Sequence, residues 1–184
     1  MVLKVRRLVF LVVALATAAF GFRPTARAAA GDLFVTLEPG LGRITYVAAG
    51  RTVSSWGGLG ALSAGIGLSD LIDVSIYADQ KLFLSQHPTL TANVWGVTMV
   101  YNLDSSQVTP YAELGVGLFR WSQGRAASAA QVTPILGAGC DWRPAPRWRM
   151  GLGVRYHAVF DSALLDNPGY STLNARVGLV VDPF

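Results

Sequence analysis

The stretch Trp148-Arg149-Met150-Gly151-Leu152-Gly153-Val154-Arg155-Tyr156-His157-Ala158-Val159-Phe160 decides the fold, because its two residue parities differ in chemistry. Trp148, Met150, Leu152, Val154, Tyr156, Ala158 and Phe160 stand at even positions; Arg149, Gly151, Gly153, Arg155, His157 and Val159 stand between them. In a strand, alternate side chains point to opposite faces. One face is then apolar with aromatic residues at both ends, and the other carries charge or glycine. A span of about ten residues with that division reads as a strand crossing a membrane in a β-barrel, its greasy face toward lipid. A soluble sandwich strand alternates too, but it turns the apolar face inward and the polar face to water.

The totals agree with the barrel reading. The chain has 184 residues, which fits one domain; 52% are hydrophobic and only 14% charged. Mean hydropathy is +0.40. Yet the longest apolar run, Leu8 to Phe20, is shorter than the roughly 20 residues a membrane helix needs. The apolar content is therefore spread over short segments. Lys4, Arg6 and Arg7, followed by that run and by Ala26-Arg27-Ala28 or Ala28-Ala29-Ala30, form a secretory signal peptide over residues 1–30. This also explains the pI of about 9.6. Five of the fifteen basic residues lie in 1–30 without any acid, leaving ten against eleven acidic residues, near −1. The electrostatic footprint of nucleic-acid binding is absent from residues 31–184. One cysteine, Cys140, excludes an internal disulfide and a cysteine-based zinc cluster, and two scattered histidines give no basis for a metal site. No cofactor motif is found: Gly115-Val116-Gly117 is not followed by a helix, as a dinucleotide fingerprint requires.

From Gly31 onward eight segments alternate. They are Leu33 to Thr45, Gly57 to Leu68, Asp73 to Leu82, Leu90 to Leu103, Thr109 to Trp121, Gln131 to Trp142, Trp148 to Phe160 and Tyr170 to Asp182. Short turns are expected near residues 70 and 105 and at Arg143-Pro144-Ala145-Pro146-Arg147. Longer connections are expected over Val47 to Trp56, around Ser85, His87 and Pro88, over Gln123 to Ala130, and over Asp161 to Gly169. Short turns at one end and longer loops at the other match the periplasmic and outer ends of a bacterial barrel. The expected fold is all-β, an eight-stranded antiparallel up-and-down transmembrane barrel over 31–184, which leaves no unpaired strand edge in lipid.

Projected inward, this scheme collects Glu38, Asp79, Lys81, Glu113, Asp141, Arg149, Arg155, His157 and Arg176. Eight strands enclose a lumen that side chains just fill, so these groups are expected to pair into an ionic plug and not to line a water-filled pore. Closure brings Glu38 and Arg176 to similar depth; Asp141 and Arg149 flank one turn. Inward Gly115, Gly117, Gly137, Gly139, Gly151 and Gly153 are expected to make room for the long arginines.

The stretch Thr109-Pro110-Tyr111-Ala112-Glu113-Leu114-Gly115-Val116-Gly117 resembles the strand opening of small outer-membrane barrels of the OmpA/OmpX type, and Phe184 resembles their C-terminal aromatic insertion signal. Phe184 departs from that pattern in following Pro183 and sharing parity with inward Val180. The resemblance implies a monomer in the bacterial outer membrane, surrounded by outer-membrane lipid and lipopolysaccharide, inserted by the outer-membrane assembly machinery, and serving envelope integrity or surface adhesion. On this reading no enzyme is expected, and no C-terminal peptidoglycan-binding domain, since the sequence stops with the eighth strand. A second resemblance is to the lipid A deacylase barrels: Arg155-Tyr156-His157 followed by Asn167-Pro168-Gly169 is similar to their last hairpin. That family carries a serine two residues after the histidine, where this chain has Val159 and its nearest serine is Ser162. Under that alternative His157, Ser162 and Glu113 would be catalytic. A third alternative is a conduit for small hydrophobic molecules, as in OmpW-like barrels, with Tyr77, Tyr111 and Phe119 lining the lumen.

Overall fold

A computed structural model of the protein describes residues 30–48, 50–83, 89–103, 108–123, 126–127, 130–145, 147–159 and 166–181. Residues 1–29, on which all but the last position of the expected signal peptide (1–30) falls, lie outside the described residues, as do His87, Ser162 and Phe184. Eight long strands follow one another: β1 (Leu33–Ala48), β2 (Arg51–Gly67), β3 (Ile72–Phe83), β4 (Leu90–Asn102), β5 (Val108–Gln123), β6 (Gln131–Ala145), β7 (Trp148–His157) and β8 (Asp166–Val181). A two-residue piece, Ala126–Ala127, adds to the end of β5. Each long strand pairs antiparallel with its sequence neighbours, and β1 pairs with β8 to close the sheet on itself. Closure at Leu33↔Val181 through Ile44↔Tyr170 satisfies the backbone groups of both terminal strands.

Parity decides what each strand shows. On β7, Leu152, Val154 and Tyr156 are 64%, 52% and 48% exposed, while Arg149, Arg155 and His157 are buried. The same division holds round the sheet: Leu37, Leu62, Ile76, Val97, Leu114, Leu136 and Leu173 face outward, and Glu38, Asp79, Lys81, Glu113, Asp141, Asn174 and Arg176 face in. Thirty large hydrophobic side chains are exposed among the described residues. On a water-soluble protein so much contiguous apolar surface would be an aggregation hazard, whereas on a membrane barrel it is the solvated face. Aromatic side chains bound this belt at both ends, with Trp56, Trp95 and Tyr156 toward the outer connections and Tyr101 and Trp148 toward the short turns. The molecule is an eight-stranded transmembrane β-barrel.

Four local expectations need correction. The region from Val47 to Trp56 is not a long loop: the ladder continues through Tyr46↔Val53 and Ala48↔Arg51, and Gly50 at φ 72° lets the chain reverse there. Its polar residues belong to a hairpin that extends past the apolar belt, so polarity there marks exposure to water and not loss of strand. The strand β6 runs on to Ala145, because its register shifts between Trp142 and Ala145 and accommodates Pro144, which has no N–H to donate. At the other connection β7 stops at His157, where Ala158 N–H donates to the Pro134 carbonyl at 3.1 Å, and Phe160 lies outside the described residues. Finally, β8 begins at Asp166, paired with Val47 across a register shift, so Asn167-Pro168-Gly169 is strand and not loop.

Candidate functional site

The interior is built in two layers. Toward the short turns the inward parities of β1, β3, β5, β6, β7 and β8 deliver charge. Arg149 donates to Asp141 from Nε at 2.5 Å and to Asp73 at 3.0 Å. Arg176 reaches Asp141 at 3.3 Å and lies 3.6 Å from Glu38. Arg155 donates to both oxygens of Glu38, and from Nε to Glu113 at 2.8 Å. The Glu38 carboxylate also accepts from Asn174 at 2.8 Å and from Ser63 at 3.4 Å. Asp73, Arg149, Asp141, Arg176, Glu38, Arg155 and Glu113 thus form one unbroken chain, all of it buried. Its three guanidinium groups lie over aromatic rings: Arg149 over Phe34 at 5.4 Å, Arg155 over Tyr77 at 5.3 Å and Arg176 over Tyr111 at 4.7 Å. The stacking fixes each planar group while its edge is hydrogen-bonded.

Nearer the outer connections the lining becomes apolar. Ile44, Phe83, Leu90, Val94, Phe119, Trp121, Ile135 and Tyr170 pack into one buried cluster. Phe119 meets Trp121 edge-on at 4.5 Å and Tyr170 at 5.4 Å, favourable aromatic geometries. Lys81 sits at the junction of the layers, 2.6 Å from Asp79 and 4.0 Å from the Tyr170 ring.

These positions bear on each candidate residue in turn. Glu38, Glu113, Asp141, Arg149, Arg155 and Arg176 come together in the chain, whereas Asp79 and Lys81 form a separate pair. Asp73 and Asn174 join the network without having been singled out in the sequence. Asp73 shares inward parity with Ser75, Tyr77 and Asp79, the signal that identifies it, but it is only the second residue of its strand, next to a turn. His157 is buried against Phe119 and Tyr170, with no hydrogen-bond partner on either ring nitrogen among the described residues. Glu113 is bound to Arg155. Tyr77 and Tyr111 stack on arginines and Phe119 is within the aromatic cluster, so these three do not line an open path. Among the described residues no group of His, Cys, Asp and Glu could hold a metal ion.

The inward glycines answer a different demand from the expected one. Side chains at Gly139 and Gly153 would strike the Tyr111 hydroxyl, and one at Gly151 would strike the Asp141 carboxylate. A side chain at Gly137 would meet Glu113 at 2.9 Å and Arg155 at 3.2 Å. The glycines therefore admit mainly the tyrosine under Arg176 and the carboxylates.

An apolar exterior wrapped round a salt-bridged and aromatic interior defines the class: a small transmembrane barrel with a filled lumen. Solved barrels are similar to it. Neisserial surface protein A has a TM-score of 0.72 at 17% identity, over 81% of this chain and 98% of its own. Ail, the attachment invasion locus protein of Yersinia pestis, solved with the heparin analogue sucrose octasulfate, has a TM-score of 0.55 at 15% identity, over 83% of this chain and 99% of its own. The outer membrane protein OprG from Pseudomonas aeruginosa has a TM-score of 0.52 at 11% identity, over 85% of this chain and 99% of its own. No protein-family model and no curated protein matches the sequence. At these identities the likeness is one of fold.

Proposed function

We propose that this chain is an integral protein of the bacterial outer membrane that serves envelope integrity or surface adhesion through a barrel that conducts nothing. The observation that carries this reading is the filled lumen: a buried chain of seven charged groups below and an aromatic cluster above occupy the space a pore would need. The signal segment delivers the chain to the periplasm, the assembly machinery inserts it as a monomer, and the connections β1–β2, β3–β4, β5–β6 and β7–β8 face outward. Adhesion is the surface role to test first, because Ail, a barrel of this fold named for attachment, was solved with a heparin analogue. The deacylase alternative draws no support from the geometry, since His157 is walled in by rings and Glu113 is bound to Arg155. The test is a deletion strain compared with its parent for detergent sensitivity, binding to host-cell surfaces and lipid A mass. A defect in either of the first two with unchanged lipid A is expected. Loss of an acyl chain from lipid A on expression would replace this reading with the enzymatic one.

A further inference from the structure

We infer that the outward face of β3, β4 and β5 holds a site for one phosphorylated lipid of the outer leaflet. Three polar side chains interrupt the apolar belt there, and the register puts them in a row: Gln80 is paired with Asn93, and Asn93 with Arg120. All three have outward parity, and Arg120 is exposed and makes no ion pair among the described residues. Neighbouring strands lie about 4.8 Å apart, so the row spans about 10 Å, the width of a phosphorylated headgroup. It stands close to the outer ends of its strands, two residues above Trp95, where the headgroup region begins.

The surface beneath the row is shaped for the rest of such a molecule. The next rung reads Leu62, Ala78, Trp95, Leu118 and Val132, and the one below it Ala64, Ile76, Val97, Val116 and Pro134. Along these rungs an apolar groove of about 650 Å³ opens, floored by Ala78, Gly96 and Gly117 and walled by Ile76, Trp95 and Leu118. A shallower depression continues it to Gln80 and Asn93 past Gly60, where an added side chain would meet open space. A cation and two amides at the headgroup end, with a hydrocarbon-lined trough running toward the membrane centre, are complementary to a lipid phosphate with its acyl chain. An anion is the fitting partner, because Arg120 is a permanent cation with five donors and the row holds no carboxylate. The opposite face is not equivalent. There Arg43 donates from Nε to Ser54 at 2.9 Å and lies over Trp56 at 5.9 Å, so its guanidinium is engaged within the protein.

This inference rests on the outer-membrane reading, and the test separates the two. The protein without residues 1–30 is refolded into phosphatidylcholine vesicles with and without a tenth of the lipid as lipid A. Folding is read by heat-shifted migration on gels, and lipid A retained on re-extraction is counted by native mass spectrometry. The expected result is one lipid A retained per barrel, reduced about fivefold by Arg120→Gln, the effect of one arginine charge near an anionic surface, and unchanged by Arg43→Gln. The variant Ala78→Leu, which fills the groove, should reduce retention while leaving folding intact. Failure to insert into vesicles would overturn the membrane reading itself. Insertion with equal retention by the parent and Arg120→Gln would overturn the site alone. So would a dimer abolished by Ala78→Leu, since a second copy would then be the groove's occupant.

Discussion

Arg155 shows how one residue can hold an interior together. It bridges Glu38 on β1 and Glu113 on β5, two strands that are not neighbours, and stacks on Tyr77 from β3. Removing it would leave two buried carboxylates without their main cation. Arg155→Ala is expected to destabilise the folded barrel by about 3 to 5 kcal/mol, measured as the shift in urea unfolding in vesicles. Arg155→Lys should recover part of that loss, because it restores charge but not the planar fork that serves two carboxylates. Gly153 and Gly139 offer a sharper contrast at the same scale. At Gly153 the close obstacle to a methyl group is the Tyr111 hydroxyl, whereas at Gly139 the Leu152 carbonyl stands in the way as well. Gly153→Ala should cost about 1 to 3 kcal/mol. Tyr111→Phe should relieve that cost in the double variant at Gly153 and fail to relieve it at Gly139.

Among the elements, β7 tests whether the belt faces hydrocarbon. Leu152 is at the middle of the strand and Tyr156 near its outer end, both exposed and on the same face. Leu152→Arg is expected to cost about 2 to 4 kcal/mol and Tyr156→Arg about 0 to 1, because the cost of a lipid-facing arginine falls with distance from the midplane. Equal costs in equilibrium unfolding from vesicles would contradict that orientation. The β1–β2 hairpin makes a separate point, since its tip projects beyond the belt and Gly50 has φ 72° there. Gly50→Val should lose about 1 to 2 kcal/mol through left-handed backbone strain, without changing the yield of inserted barrel.

Across the whole molecule, the two interior layers predict a closed channel. Planar bilayers containing the refolded protein should show no steady ohmic conductance. Replacing Phe119 and Trp121 together with alanine would empty part of the outer layer but leave the ionic chain below it intact. That double variant should also remain silent. A conducting double variant would mean that the aromatic layer alone seals the barrel.

Period-two alternation made the class readable at once, because in a closed barrel every strand has the same two environments and parity alone sorts its residues between them. Glu38, Arg155 and Arg176 could be placed inside from their neighbours' chemistry. Parity could not say which acid meets which base: Glu38 and Arg155 are separated by 117 residues and by β8 in the sheet, and join only because the lumen is narrow enough for side chains to cross it. Polarity also misled at both ends of the strands. Arg51, Ser54 and Pro144 look like loop residues, yet Arg51 and Ser54 are paired in the ladder and Pro144 stands within β6 at a register shift, since a strand in water above the belt tolerates polar side chains and a shift absorbs a proline. The glycines were legible as gaps but not as gaps for Tyr111, because what fills a gap arrives from a different strand. Sorting side chains between lipid and lumen is a local, one-dimensional property of the chain; the pairing of charges and the row of Gln80, Asn93 and Arg120 depend on the register between strands, which hydrogen bonding and closure set together.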